Sequence, residues 1–198
     1  MGLATAALKT QSAISLPELR SRYVLVNRPS SSQMEEIYRL RVEAWRGQSR
    51  LSSGMTHWVD EVDEVARQWA IVHHGVVVGA IRMSLHESLA QLPSAEVYVG
   101  VLPSALPPPI ASYNRLVVHP DHRGHGLSRV LDLVCLEAAR AAGASALVGA
   151  TGSVEANRRR IEAMKRLGFQ ELGLGHPVNT SAYEATRRPT VLAYYFNE

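Results

Sequence analysis

Residues 113–142 read YNRLVVHPDHRGHGLSRVLDLVCLEAARAA, and the rest of the chain is arranged around them. Arg115 to Val118 are strand-like and end in β-branched residues. His119-Pro120-Asp121 form a turn, because proline fixes its own φ and disfavours helix in the residue before it. Arg123-Gly124-His125-Gly126-Leu127-Ser128 follow, and then a helix with Leu127, Val130, Leu131, Val134 and Ala138 on one face. Two glycines at a strand-to-helix turn let the backbone approach a ligand closely. The free N–H groups of the first helical turn favour an anion there. Arg123 adds a fixed cation suited to phosphate. The stretch reads as a pyrophosphate cradle. It is not a P-loop, which ends in Gly-Lys-Ser/Thr, nor the dinucleotide fingerprint, which needs a third glycine and a later acidic residue.

The chain around this cradle has 198 residues, in the range of one compact domain, and 46% of them are hydrophobic, enough for a core. Residues 1–18 read as a loose N-terminus and 19–198 as a single domain. The net charge of +3 fits attraction to a phosphorylated cofactor or an acidic carrier. Nucleic acid is not indicated, since no long Lys/Arg block carries interleaved aromatics. The single cysteine, Cys135, rules out an internal disulfide framework and sits at an apolar helical position suited to the core. No signal peptide and no membrane-spanning run is visible, so the expected location is the cytoplasm.

Upstream, Arg22 to Asn27 read as a first strand and Ser32 with Glu35 as a capping box. The helix that follows carries Met34, Ile37, Leu40, Val42, Ala44 and Trp45. Residues 58–66 suggest a short helix or turn. Trp69 to Val72 and Val76 to Leu85 form a hairpin turned by His73, His74 and Gly75. Residues 86–111 read as a long irregular, Pro-rich segment with a short helix near 87–92, the place for acceptor-side or acyl-side contacts. Downstream, Gly143 caps the central helix, 146–150 make a strand, and Ser153 opens another helix. Val191 to Asn197 close the chain as a strand paired near Phe169. An exposed strand there would offer a homodimer contact.

At Arg123, Gly126 and Ser128 the sequence resembles the GNAT superfamily of acyl-CoA N-acyltransferases. That family's signature is Arg/Gln-x-x-Gly-x-Gly/Ala after a strand ending in a Val-x-Pro-like turn. Ser128 departs from the usual Gly or Ala but is small. Asn157, Gly168 and Phe169 match the family's second pattern, Asn-x-x-Ala-x-x-x-Tyr-x-x-x-Gly-Phe. The resemblance implies an α/β (α+β) fold: a central mixed, mostly antiparallel sheet with two splayed strands, flanked by helices. It implies that Arg123, Gly124, His125, Gly126, Leu127 and Ser128 hold the pyrophosphate of coenzyme A. It implies that the backbone of Leu116, Val117 and Val118 pairs with the pantetheine arm, and that Asn157 holds that arm. The co-substrate implied is acetyl-CoA or a longer acyl-CoA, without a metal. The implied reaction is acyl transfer to a small-molecule or peptide amine.

Direct attack by an amine needs a base, and the departing thiolate needs a proton. Base candidates are Glu87, His86 and Glu96; Tyr113 lies on the donor strand. The family's usual tyrosine acid is replaced by Met164, so Tyr113, Tyr194 or water must supply the proton. His119, His122 and His125 stand three apart, but the Pro turn among them argues against a metal site.

The first half also resembles autoinducer synthases and long-chain N-acyl amino acid synthases. They share a spread of Arg, aromatic, Asp-x-x-Asp and Arg that stands here as Tyr38-Arg39-Leu40-Arg41-Val42 leading to Trp45, then Asp60 and Asp63, Arg82 and Arg115, with Ser112 where a Glu is usual. That branch implies fatty acyl donors on coenzyme A or acyl carrier protein. Surface salt bridges explain the same residues equally well. Ser112 and Met164 also leave open a non-catalytic acyl-CoA-binding module.

Overall fold

The computed structural model describes residues 22–46, 50–51, 54–152, 154–178, 183–184 and 188–196. The expected loose N-terminus and the position of Ser153 lie outside them. Strand β1 (Val24–Asn27) is followed by helix α1 (Ser31–Trp45), strand β2 (Arg50–Leu51) and a one-turn helix α2 (Val62–Val65). The hairpin β3 (Arg67–His73) and β4 (Val76–His86) comes next, then β5 (Ile110–Val118) and helix α3 (Leu127–Ala141). Strand β6 (Ala146–Thr151), helix α4 (Val154–Lys165), β7 (Gln170–Leu174), β8 (Tyr183–Glu184) and β9 (Thr190–Tyr195) complete the order.

Seven strands form one sheet in the order β1-β3-β4-β5-β6-β9-β7. Only β5 and β6 run parallel; the other pairs are antiparallel. The mixed, mostly antiparallel sheet expected from the sequence is present. Helix α1 packs Ile37, Leu40 and Ala44 on one face, against Ala70, Val77, Ala80 and Val117. Helices α3 and α4 cover the other face with Leu131, Cys135, Ile161 and Met164 over Ile81, Met83, Tyr113 and Leu147. The alternation of side chains along β4 and β5 sorts residues between these two faces.

Several boundaries differ from the sequence reading, each for a local reason. Helix α1 is capped by Ser30, whose hydroxyl accepts from the Gln33 N–H while the Gln33 side chain accepts from the Ser30 N–H. Gln completes a capping box as Glu does, so Ser30–Gln33 wins over Ser32–Glu35. Strand β5 begins at Ile110, five residues before Arg115, so residues 110 and 111 leave the irregular segment. The remainder of that segment is folded: short 3-10 turns at Leu89–Gln91 and Ala95–Tyr98 bury Leu92, Val97, Tyr98 and Leu102 against Ile110 and Val148. The small β2–β8 pair has no periodicity to betray it. The C-terminal strand is not an open edge, because β9 lies between β6 and β7. The edges of the large sheet are β1 and β7, which removes the expected basis for a dimer through β9.

Candidate active site

The ladder between β5 and β6 holds for three rungs, Ile110–Ala146, Ala111–Leu147 and Ser112–Val148. Both strands run on, β5 to Val118 and β6 to Thr151, without further pairing to each other. This is the splay the sequence reading expected, and it opens just past Ser112. The other edge of β5 is bonded to β4, with a register slip between Ala80 and Arg82. Arg115 takes a left-handed φ of 55° at that slip. A bulge there flips the alternation of the strand. Asn114 and Arg115 therefore both reach the α1 face, while Leu116 and Val118 pack on the α3 face and Val117 on the α1 face.

The phosphate loop sits at the end of β5. Gly124 and Gly126 have φ of 84° and 78°, a region that side chains strain to enter. Gly126 is the N-cap of α3 and gives no side-chain cap, so the first N–H groups are left for a ligand. Arg123, Gly124 and Gly126 are exposed, His125 and Ser128 half-buried, and Leu127 is in the core, where it anchors the loop. Arg123 Nε donates to the Val118 carbonyl, 3.3 Å. Asn157 lies on α4 beside the β6 turn, where a Cβ on Gly152 would stand 2.9 Å from its Nδ2. The sequence-derived cofactor residues are thus gathered along β5, its following loop and the start of α4.

On the α1 face, five charged side chains from five places in the sequence meet. Arg41, fully buried, binds Asp63 in bidentate fashion at 2.8 and 2.9 Å and donates to the Trp58 carbonyl and to Gln68 Oε1. Asp63 also meets Arg82 Nη1 at 2.9 Å. Arg82 bonds Asp60 at 2.5 and 3.1 Å and donates through Nε to Asn114 Oδ1. Arg115 closes the chain on Asp60 at 2.7 Å, with its guanidinium 3.8 Å from the centre of the Trp58 ring. Burial works against a charged Asp63, but the bond and charge of Arg41 and the charge of Arg82 prevail and pull its pKa down to about 2. Among the described residues, three guanidiniums and two carboxylates meet in this strip. The Arg, Asp-x-x-Asp and Arg spread noted in the sequence is one connected network.

Beside this strip, His86 on β4 places Nε2 2.8 Å from Ser84 Oγ and 3.4 Å from Ser112 Oγ. Ser112 is the last residue paired before the splay. Partial burial lowers the pKa of His86, so the imidazole is neutral at neutral pH. Glu87 and Glu96 are exposed. Across the sheet, Tyr113 lies in the core, edge-on to Phe169, with its hydroxyl donating to Met164 Sδ at 3.3 Å. Burial pushes its phenol far above the usual tyrosine range. Its ring fits because residue 149 is glycine: a Cβ there would stand 2.8 Å from Cε1. Arg160, at the position where the family pattern has Ala, forms a bidentate pair with the buried Asp132 of α3. Sequence reasoning missed this pair; the signal was an Asp on the otherwise apolar stripe of α3.

No three of the described His, Cys, Asp and Glu side chains are placed to share a metal ion. No described helix is long and apolar enough to cross a membrane.

Residues 33–169 match the family model described as the acetyltransferase (GNAT) family. No curated protein matches the sequence. Among solved structures, the chain is similar to FeeM, an N-acyl amino acid synthase from uncultured soil microbes. That match has 14% identity and a TM-score of 0.64, over 88% of this chain and 91% of FeeM. It is similar to the AHL synthase LasI at 15% identity and TM-score 0.61, over 88% and 90% of the two chains. It is also similar to yncA, a putative acetyltransferase from Salmonella typhimurium solved with its cofactor acetyl-CoA. The values there are 16% identity and TM-score 0.60, over 89% and 95%.

Proposed function

The chain belongs to the acetyltransferase (GNAT) family, and from that premise we propose that it moves an acyl group from an acyl-CoA thioester to a primary amine by direct attack in a ternary complex. The observation that carries this reading is the splay between β5 and β6, which opens at Ser112 beside the His86 imidazole. The backbone of residues 116–118 receives the pantetheine arm and Arg123 to Ser128 its pyrophosphate. Asn157 steadies the arm from α4. When bound, the thioester supplies the activated acyl carbon; the chain positions it and manages protons.

His86 is the general base in this reading, taking the amine proton directly or through Ser84 or Ser112. It replaces Glu87 and Glu96, whose exposure leaves them in water. The departing thiolate takes its proton from water, because burial pushes the Tyr113 phenol too far up to give one and its hydroxyl donates to Met164 Sδ. His86→Gln is expected to lower kcat by about 10²–10⁴-fold and to remove the acid limb of the kcat/KM profile. In the wild type that limb falls below the ordinary histidine value, since burial lowers the His86 pKa and protonation silences the base. Glu87→Gln and Glu96→Gln leave kcat unchanged. Free thiol release with a panel of amines measures all three; an acid limb that survives in His86→Gln removes the base assignment.

The buried ionic strip favours a second, narrower reading, in which a longer acyl group goes to an amino acid or peptide amine. The strip joins the Arg, Asp-x-x-Asp and Arg residues that resemble those of long-chain N-acyl amino acid synthases, and FeeM, to which this chain is similar, is an N-acyl amino acid synthase. The donor in that case arrives on coenzyme A or on acyl carrier protein. Rates with acetyl-CoA and long-chain acyl-CoA, each with amino acids and with uncharged amines, separate the two readings. Binding of acyl-CoA without turnover on any amine would leave a non-catalytic module.

A further inference from the structure

Five histidines converge at the glycine loop from two parts of the sequence. His119, His122 and His125 belong to the turn and loop after β5, and His73 with His74 to the tip of the β3–β4 hairpin. Tyr23 stands among them. Its hydroxyl is 3.1 Å from His122 Nδ1, and its ring centre lies 4.8 Å from His73, 5.8 Å from His122 and 6.3 Å from His125. The rings of His73 and His122 are 5.0 Å apart, those of His119 and His122 5.7 Å, and those of His73 and His74 4.1 Å. Among the described residues, few groups face this cluster. Glu43 on α1 lies 3.2 Å from His119 Nε2, and Asp121 4.0 Å from its Nδ1. The Arg22 carbonyl is 2.9 Å from His73 Nδ1. Arg123, one residue on from His122, is the fixed cation of the loop.

So dense a group of imidazoles costs little while neutral and becomes strongly cationic when protonated. Two carboxylates, both largely exposed, oppose up to five positive rings. His122 already shows the mutual effect: partial burial and the neighbouring imidazoles of His73, His119 and His125 lower its pKa against the pull of Asp121. An anion placed at Gly124–Gly126 reverses that balance, since negative charge favours protonated imidazole. The placement of the described side chains does not serve a metal, and the glycine loop already turns bare N–H groups toward an anion.

We propose that His73, His119, His122 and His125, gathered around Tyr23, form a proton-loaded anion rim for the phosphate loop, so that a phosphorylated thioester cofactor binds more tightly as the rim takes up protons. The inference rests on the coenzyme A reading above and adds to it a proton linkage carried by residues outside the loop's backbone. Linkage makes the effect reciprocal: cofactor binding draws protons from solution near neutrality, and acidification raises affinity. Each imidazole whose pKa rises by one unit on binding contributes up to roughly tenfold.

The test is titration calorimetry of the full chain with coenzyme A and with 3′-dephospho-coenzyme A, from about pH 8 to about pH 5.5, the range in which imidazoles titrate. Two buffers of different ionisation enthalpy give the protons taken up. The wild type is expected to gain roughly tenfold in affinity across that range, with net proton uptake. The double variant His73→Gln/His122→Gln is expected to lose most of both. The cofactor's own phosphate titration is common to the two proteins, and the dephospho compound shows its size. Binding at pH 8 with no pH dependence and no proton uptake in the wild type overturns this proposal and leaves the cofactor reading standing. A pH slope that persists in a folded double variant overturns it as well. No coenzyme A binding at any pH overturns the cofactor reading and this inference together.

Discussion

The two faces of β4 and β5 solve opposite problems with the same two strands. On the α1 face, Arg82, Asn114, Arg115, Ser84, Ser112 and His86 form a polar floor locked to Asp60, Asp63 and Arg41. On the α3 face, Ile81, Met83 and Tyr113 pack into an apolar core beside the ion pair Arg160–Asp132. The first face fixes charges beside the splay. The second fixes shape, and its one hydroxyl near the splay belongs to a side chain wedged over a glycine. Charge is preorganised on one side of the donor strand and volume on the other. Both matter to transfer chemistry, because fixed dipoles and fixed positions need no rearrangement when the reaction occurs.

Substitutions on each face should therefore fail in different ways. Asp63→Ala strips Arg41 of its bidentate partner and is expected to cost about 3–5 kcal/mol, the range for a broken buried pair. Chemical denaturation would read this, and a cost below about 1 kcal/mol would mean that the strip behaves as an exposed salt bridge. On the other face, Gly149→Ala drives a Cβ into the Tyr113 ring and is expected to cost about 1–3 kcal/mol. Tyr113→Phe should give no relief in that background, since the clash is with ring carbons and not with the hydroxyl.

Acid separates the faces again. The Asp63 pKa is lower in the folded chain than in the unfolded one, so its contribution is complete above about pH 4 and is lost as pH falls toward about 2. The wild type should lose about 2 kcal/mol through this group over that window. Asp63→Asn should be less stable at neutral pH and show a flatter acid limb. The smallest effect belongs to neither face: Ser30→Ala removes the cap of α1, the helix that carries Arg41, for about 1 kcal/mol. If that change also raised KM for the amine, α1 would be shown to position the polar floor as well as to cover it.

The glycine loop after β5 was legible because its signal is local. A proline turn, an arginine, two glycines at left-handed φ and the N-terminus of α3 follow one another along the chain, so no distant partner is needed to recognise them. Order of elements and the hairpin were legible for the same reason, since periodicity and turn chemistry are carried by neighbours. The segment 86–109 was not, because its proline content hides buried Leu92, Val97, Tyr98 and Leu102, which find their partners on β5 and β6. The proposed base was only half legible: Glu87 and His86 are adjacent in sequence, but the strand ends at His86, which meets Ser112, while Glu87 just past it is exposed.

By itself, then, the sequence determined the strand–turn–helix core, the cradle at Arg123 to Ser128 and the family that follows from them. Only the tertiary structure decided that Arg41, Asp60, Asp63, Arg82 and Arg115 are one network, that Tyr113 stands against Met164, and that histidines from residues 73 to 125 share one rim. The physical reason is the range of the interactions. Dihedral preferences and turn hydrogen bonds act between residues a few places apart. Charge pairing, ring packing and pKa shifts depend on distances in space, which a register shift at one bulge or a missing Cβ at one glycine is enough to set.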